Sequence, residues 1–278
     1  MDIPTDPTLP FFSYGLFRPG QIGFKDLRPY VQRFEVQWSI KGQLLERDGL
    51  PVLMEGAKSV EGAVIHFRCG NEENAYRIIT GIEPDKLYRW DVADAQYGSE
   101  CQTVNVLAGV KVNRGTHPLE TKTWDGREEP LFSAALEVIT EVLETNREFE
   151  WNLKPLFQLQ MAYMLLWSAI ERFSSFKYHL GDSVVNKVNR IADEPEFANA
   201  LRELVTERRH VYRSDNPEKK ETLDPAVPKK SLAYYYQVRS NITHRGKAAF
   251  GDHDTLVKSL EELLNIFQRI LKAEFKSE

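Results

Sequence analysis

The chain has 278 residues, 42% of them hydrophobic, and a formal net charge of −5 at pH 7, so it is long enough for two ordinary domains with real cores and is not a basic protein overall. Its two cysteines, Cys69 and Cys101, form no Cys-x-x-Cys and no Cys/His cluster at zinc spacing, which leaves no basis for a disulfide framework or a structural zinc and fits a reducing cytoplasm. The start Met1-Asp2-Ile3-Pro4 is acidic and proline-bearing rather than a secretory signal, and the most apolar run, Met161 to Ile170, is too short to span a bilayer.

The amino-terminal part reads as short strands. Phe11-Phe12-Ser13-Tyr14 is an apolar strand that runs into Gly15-Leu16-Phe17-Arg18-Pro19-Gly20, a loop whose glycines permit a sharp turn or a close backbone approach. Lys41–Leu45, Gly49–Leu53 and Val60–Phe67 are three further strands separated by turn residues. Asn71 to Ile82 carries helical spacing, and Leu87–Ala93 with Gln102–Leu107 close the set. The class is α+β: a mixed sheet or small barrel with one helix, followed by an all-α bundle.

Four motifs in order, Tyr14-Gly15, Gly49-Leu50-Pro51, Val60-Glu61-Gly62 and Glu83-Pro84-Asp85-Lys86-Leu87-Tyr88-Arg89, give residues 1–112 a pattern that resembles the gamma-glutamylcyclotransferase-like fold. The resemblance implies a small mixed α/β barrel, with Glu83 as the acid/base that moves the proton of a substrate α-amine. It also implies that the Tyr14 to Gly20 loop, with Tyr14, Gly15, Leu16, Phe17 and Arg18, binds the carboxylate of a small-molecule substrate through backbone N–H groups. Leu16-Phe17 stands where the family has Ser or Thr followed by Leu, and one residue is missing between Glu83 and Tyr88. An ordinary exposed helix end is the other reading of Glu83.

Residues 113–130, with Asn113-Arg114-Gly115 and Trp124-Asp125-Gly126, read as a polar linker with an aromatic anchor. From 131 to 278 the pattern is helical. Leu131–Leu143, Phe157–Phe173 and Val184–Ile191 have apolar residues at helical spacing, and Pro195 suits the first turn of another helix. Met161, Met164 and Trp167 read as core. Ser214–Glu221 reads as a charged loop, and two helices follow from about Ser231 and Asp254. The last places Leu256, Leu260, Leu263, Leu264, Phe267 and Leu271 on one face.

Between Lys229 and Phe250 there are five Lys/Arg and no Asp or Glu, a basic patch that favours a phosphate-bearing partner. Here Tyr234-Tyr235-Tyr236 precede Arg239, Asn241, His244, Arg245 and Gly246. Histidine exchanges protons near neutrality, and a guanidinium grips phosphate through paired hydrogen bonds. Arg239, four residues, then His244 resembles the Arg-to-His motif of the HEPN superfamily of all-helical ribonucleases. That resemblance implies a metal-independent, cofactor-free endoribonuclease of the toxin or phage-defence kind, acting as a homodimer through the helical domain. The amino-terminal domain would regulate it or sense a ligand.

In that reading His244 moves protons, Arg239 stabilises charge on phosphorus, Asn241 orients the phosphate, and Lys229, Lys230, Arg245 and Lys247 bind RNA. The tyrosines offer faces for base stacking. Five residues along a helix turn a side chain by roughly 140°. Arg239 and His244 therefore need the helix to end near Thr243, or need a cleft shared by two subunits. Glu171 either faces that cleft or lies on the surface. Two other functions stay open: a cyclotransferase with a helical dimerisation module, and a non-catalytic interaction protein in which Arg239 and His244 are a solvated face.

Overall fold

The structure, a computed structural model, describes residues 1–47, 49–83, 86–110, 116–148, 151–178, 184–213, 216–245 and 252–276. The chain divides into a barrel unit, Met1–Glu129 with two short later pieces around Phe176 and Glu274, and a helical unit, Pro130–Ser175 with Ser183–Ala273. The architecture is α+β, as the sequence pattern implies.

In the barrel unit, β1 (Phe11–Ser13) is followed by a single-turn helix, α1 (Phe24–Leu27), and by two long strands, β2 (Val31–Arg47) and β3 (Leu50–Phe67). Helix α2 (Glu72–Ile82), the hairpin β4 (Tyr88–Tyr97) and β5 (Glu100–Gly109), and the short β6 (Thr116–Pro118) complete it. The strand order β3-β1-β5-β4-β2 closes through a β2–β3 pairing into a five-stranded barrel, with β6 added beside β2. Strand β1 is buried throughout because it is inserted between β3, antiparallel, and β5, parallel.

The three short strands expected between Lys41 and Phe67 are parts of the two long ones. Their glycines serve close approach more than turning. A Cβ on Gly62 would lie 2.4 Å from the Ser13 carbonyl oxygen and 2.6 Å from the Phe12 ring, so glycine is what lets β1 cross there. Gly49, at φ 73°, belongs to the turn between the strands. Gln37 takes φ 67° where the β2–β3 register shifts between Val36 and Trp38, a bulge that bends the ribbon towards closure.

Helix α2 opens with Glu72 and Glu73, which favour the positive end of its dipole, and buries Ala75, Tyr76 and Ile79. Tyr76 is the hub of the barrel core. Its ring meets Phe11, Phe67 and Trp90 edge-on, and its hydroxyl donates to the Leu9 carbonyl at 2.6 Å. Residues 116–129 of the stretch read as a linker belong to this unit, and 113–115 lie outside the described residues. β6 pairs with β2, and Trp124 is buried with its Nε1 donating to the Gly49 carbonyl at 2.9 Å.

The helical unit contains α3 (Ala134–Thr145), most of α4 (Leu153–Lys177), α5 (Val184–Asn189), α6 (Pro195–Leu204, opening on its proline), a hairpin of β7 (Arg209–Arg213) and β8 (Asn216–Leu223), α7 (Pro228–Arg245) and most of α8 (His253–Glu274). All six apolar residues of the α8 stripe are buried. Each such side chain contributes roughly 1.5–3 kcal/mol relative to exposure. Two expectations are corrected here. The stretch read as a charged loop is strand from Asn216 on, with residues 214 and 215 outside the described residues, and Met161 is 71% exposed rather than core. Met161 borders an apolar groove of about 890 Å³ that is also lined by Val138, Phe157 and Ile242.

Candidate functional site

The barrel unit gathers four polar side chains from distant points of the chain. Glu83 is the residue that ends α2. It precedes Pro84, which disfavours a helical conformation at Glu83, and its backbone is extended at φ −91°, ψ 125°. Its amide still donates to the Ile79 carbonyl at 2.9 Å, so the carboxyl is held at a fixed helix end. Tyr14 leaves β1, Tyr88 opens β4 and Arg47 ends β2.

All four are buried, with Glu83 7% and Arg47 5% exposed. The Tyr14 hydroxyl donates to the Leu107 carbonyl at 2.6 Å and accepts from the Leu53 amide at 3.3 Å. The Tyr88 hydroxyl donates to the Pro51 carbonyl at 3.0 Å, and the Arg47 guanidinium carbon stands 5.5 Å from the centre of the Tyr88 ring. Glu83 Oε2 and Arg47 Nη2 are buried polar atoms without a hydrogen-bond partner.

The electrostatics follow from burial. Loss of water pushes the Glu83 carboxyl up to about 8, against the opposing pull of Arg47. Burial first, and the Glu83 charge second, push both phenols well above their ordinary value, so Tyr14 and Tyr88 stay neutral donors. A protonated carboxyl, two phenols and one obligate cation make a poor seat for a divalent metal, which needs several anionic oxygens. They suit an organic molecule that exchanges a proton with Glu83.

The loop after Tyr14 is firmly built. A Cβ on Gly15 would lie 2.6 Å from Pro51 Cγ. The side chains of Leu16 and Phe17 are buried in the core, so their part in ligand binding is confined to backbone. Arg18 Nη1 donates to the Trp124 carbonyl at 2.8 Å, and Gln21 bridges Asp125 Oδ1 at 2.9 Å and the Gly126 amide at 3.0 Å. Burial works to raise the Asp125 carboxyl, but hydrogen bonds from Arg127 and Gln21 outweigh it and hold it at about 2. Arg18, expected as a substrate ligand, is thus a clasp between this loop and the 124–126 segment.

In the helical unit, α7 runs regularly through Arg245 and does not end near Thr243. Positions 239 and 244 are therefore roughly 140° apart around one helix. The side chains of His244 and Arg245, and the whole of Lys247, lie outside the described residues. Arg239 pairs with Glu171 at 3.5 Å and lies 5.4 Å from the centre of the Tyr236 ring, while the Glu171 side chain stays 32% exposed. Asn241 accepts from Gln237 Nε2 at 2.8 Å and donates to the Tyr212 carbonyl at 2.9 Å, which ties α7 to β7.

Tyr234 and Tyr235 are fully buried, the latter donating to Glu262 Oε2 at 2.9 Å, so neither offers a face for base stacking. Lys229 pairs with Asp193 at 3.1 Å, whereas Lys230 is exposed. Arg47 is the residue of this buried cluster that sequence reasoning missed. A charged residue at the end of a strand, beside Asp48-Gly49, reads as solvated, and the sole hint was its place two residues after the apolar pair Leu44-Leu45.

No known protein family matches the chain, and no curated protein is significantly similar to it. Among solved structures it is similar to an uncharacterized protein from Pyrococcus horikoshii, at 18% identity over 42% of this chain and 90% of that one, with a TM-score of 0.34. No helix among the described residues is long and apolar enough to cross a membrane.

Proposed function

We propose that the barrel unit is an acid–base site of cyclotransferase type, acting on a small substrate with a free amine. The observation that carries this reading is Glu83, a buried carboxyl at a rigid helix end whose pKa lies near 8, beside the loop that begins at Tyr14. The substrate's α-amine attacks its own γ-carbonyl, and ionised Glu83 takes the amine proton as the ring C–N bond forms. Glu83 then gives that proton to the leaving amine as the γ-amide C–N bond breaks. A cyclic lactam acid and a free amine result, with no water or other reactant consumed. Because the ionised form is needed, kcat/KM rises with pH up to about 8 and then levels. The test is incubation with γ-glutamyl amides and detection of the lactam. Glu83→Gln should lose about 10²-fold or more, and full turnover by that variant would remove the reading.

A second reading keeps the helical unit as a metal-independent endoribonuclease, working as a homodimer, with the barrel unit sensing its ligand. It is supported by Arg239, whose guanidinium stays partly exposed beside Glu171 and can meet a phosphate there. A straight α7 makes a second subunit's His244 the means of completing the cleft. Incubation with a mixed RNA pool should give 2′,3′-cyclic phosphate ends that disappear with His244→Ala. Unchanged cleavage by that variant, or a monomer in sedimentation, would count the motif as structural.

A further inference from the structure

Strands β2 and β4 close the barrel weakly. They share one register pair, Ser39↔Gln96, and at Leu45–Arg47 β2 takes β6 as its neighbour instead. Extended past that pair, the same antiparallel register sets Arg47 across from Tyr88, and the guanidinium indeed stands over the Tyr88 ring. The two side chains thus meet where β4 gives way to β6 along the edge of β2.

Arg47 is buried, and a guanidinium cannot shed its proton to escape the cost of burial. The acidic groups around it do not answer its charge. The Tyr14 and Tyr88 phenols are neutral, and the Glu83 carboxyl stays largely protonated at pH 7 because burial holds it near 8. Arg47 Nη2 and Glu83 Oε2 both lack a partner. The barrel therefore carries a buried positive charge, with an open donor, beside Tyr88 and Glu83.

We propose that Arg47 is the anion-holding residue of the barrel site, selecting ligands that carry a carboxylate. The proposal rests on the reading of Glu83 as the acid–base group. Arg47 sets which molecule sits beside Glu83 and how it is turned, and takes no proton itself. Its charge also makes the ligand-free protein less stable than it need be.

Two probes isolate the anion: 5-oxo-L-proline and 2-pyrrolidinone share a lactam ring and differ in the carboxylate. In calorimetric titration the wild-type protein should bind the acid more tightly by about 30-fold or more, as expected for a buried charge pair. Arg47→Met should lose that preference, Arg47→Lys should keep part of it, and Glu83→Gln should keep it. Without ligand, Arg47→Met should melt at the same or a higher temperature than wild type. Equal affinities for the two probes, binding of neither, or a preference that survives in Arg47→Met would overturn the proposal. So would an Arg47→Met protein that melts lower or fails to fold, since Arg47 would then be a structural tie. The two ideas separate cleanly: if Glu83→Gln still turns over γ-glutamyl amides while Arg47→Met loses the acid preference, the acid–base reading falls and the anion site stands.

Discussion

Glu83 is where a single residue makes the barrel unit sensitive to pH. Its carboxyl rises from 4.5 to about 8 on folding, so the folded state binds its proton more tightly than the unfolded chain. The corresponding stability is fully present below pH 4.5, is lost as pH rises through the interval to about 8, and changes no further above it. Thermal melts between pH 4 and 9 should show this decline in the wild type and a flatter profile in Glu83→Gln, with the variant the more stable of the two at pH 9. A variant as steep as the wild type would assign the slope to other groups. Tyr14→Phe acts differently, because it strips partners from the Leu107 carbonyl and the Leu53 amide at once. It should cost about 1–3 kcal/mol in urea denaturation.

At the scale of elements, the crossing of β1 over β3 depends on the missing side chain at Gly62. Gly62→Ala puts a carbon against the Ser13 carbonyl and the Phe12 ring, and should destabilise by about 1–3 kcal/mol because backbone cannot move aside as a flexible side-chain end can. The Arg239–Glu171 pair on α7 and α4 is a contrasting case. It is partly exposed and 3.5 Å long, so Arg239→Ala should cost about 1 kcal/mol or less in stability. A much larger loss would show that Arg239 is a structural tie and would weaken its assignment to phosphate.

For the molecule as a whole, a net charge of −5 means that any affinity for RNA depends on a local patch. Affinity should fall linearly with the logarithm of salt concentration. Lys230→Ala should make that slope shallower, whereas Lys229→Ala should change it less, because Asp193 already answers Lys229. Filter binding across a salt series, with equal slopes for the two variants, would place the RNA elsewhere or nowhere on this face.

The sequence by itself determined the elements whose order is local. The α8 stripe, the proline start of α6, the helix at Glu72–Ile82 and the apolar strand at Phe11–Ser13 are read from periodicity and capping, which act between residues a few positions apart. The presence of Glu83 beside the Tyr14 loop was expected from a resemblance in motif order, while its protonation comes from burial that no window of sequence measures. Other features came from tertiary structure alone. Strands β2 and β3 run on through glycines that look like turns, because at Gly42, Gly56 and Gly62 a neighbouring strand stands where a Cβ would be. The hairpin of β7 and β8 looked like a solvated loop because its residues are largely polar and much of it stays exposed, so it lacks the apolar alternation that marks a half-buried strand. Arg47 meets Glu83, Tyr14 and Tyr88 only once the barrel closes. For the β1 crossing and for Arg47 the reason is shared: side-chain environment is set by chain segments 30 or more positions apart, as Tyr14 and Leu107 are at 93 positions, and local pattern carries no record of them.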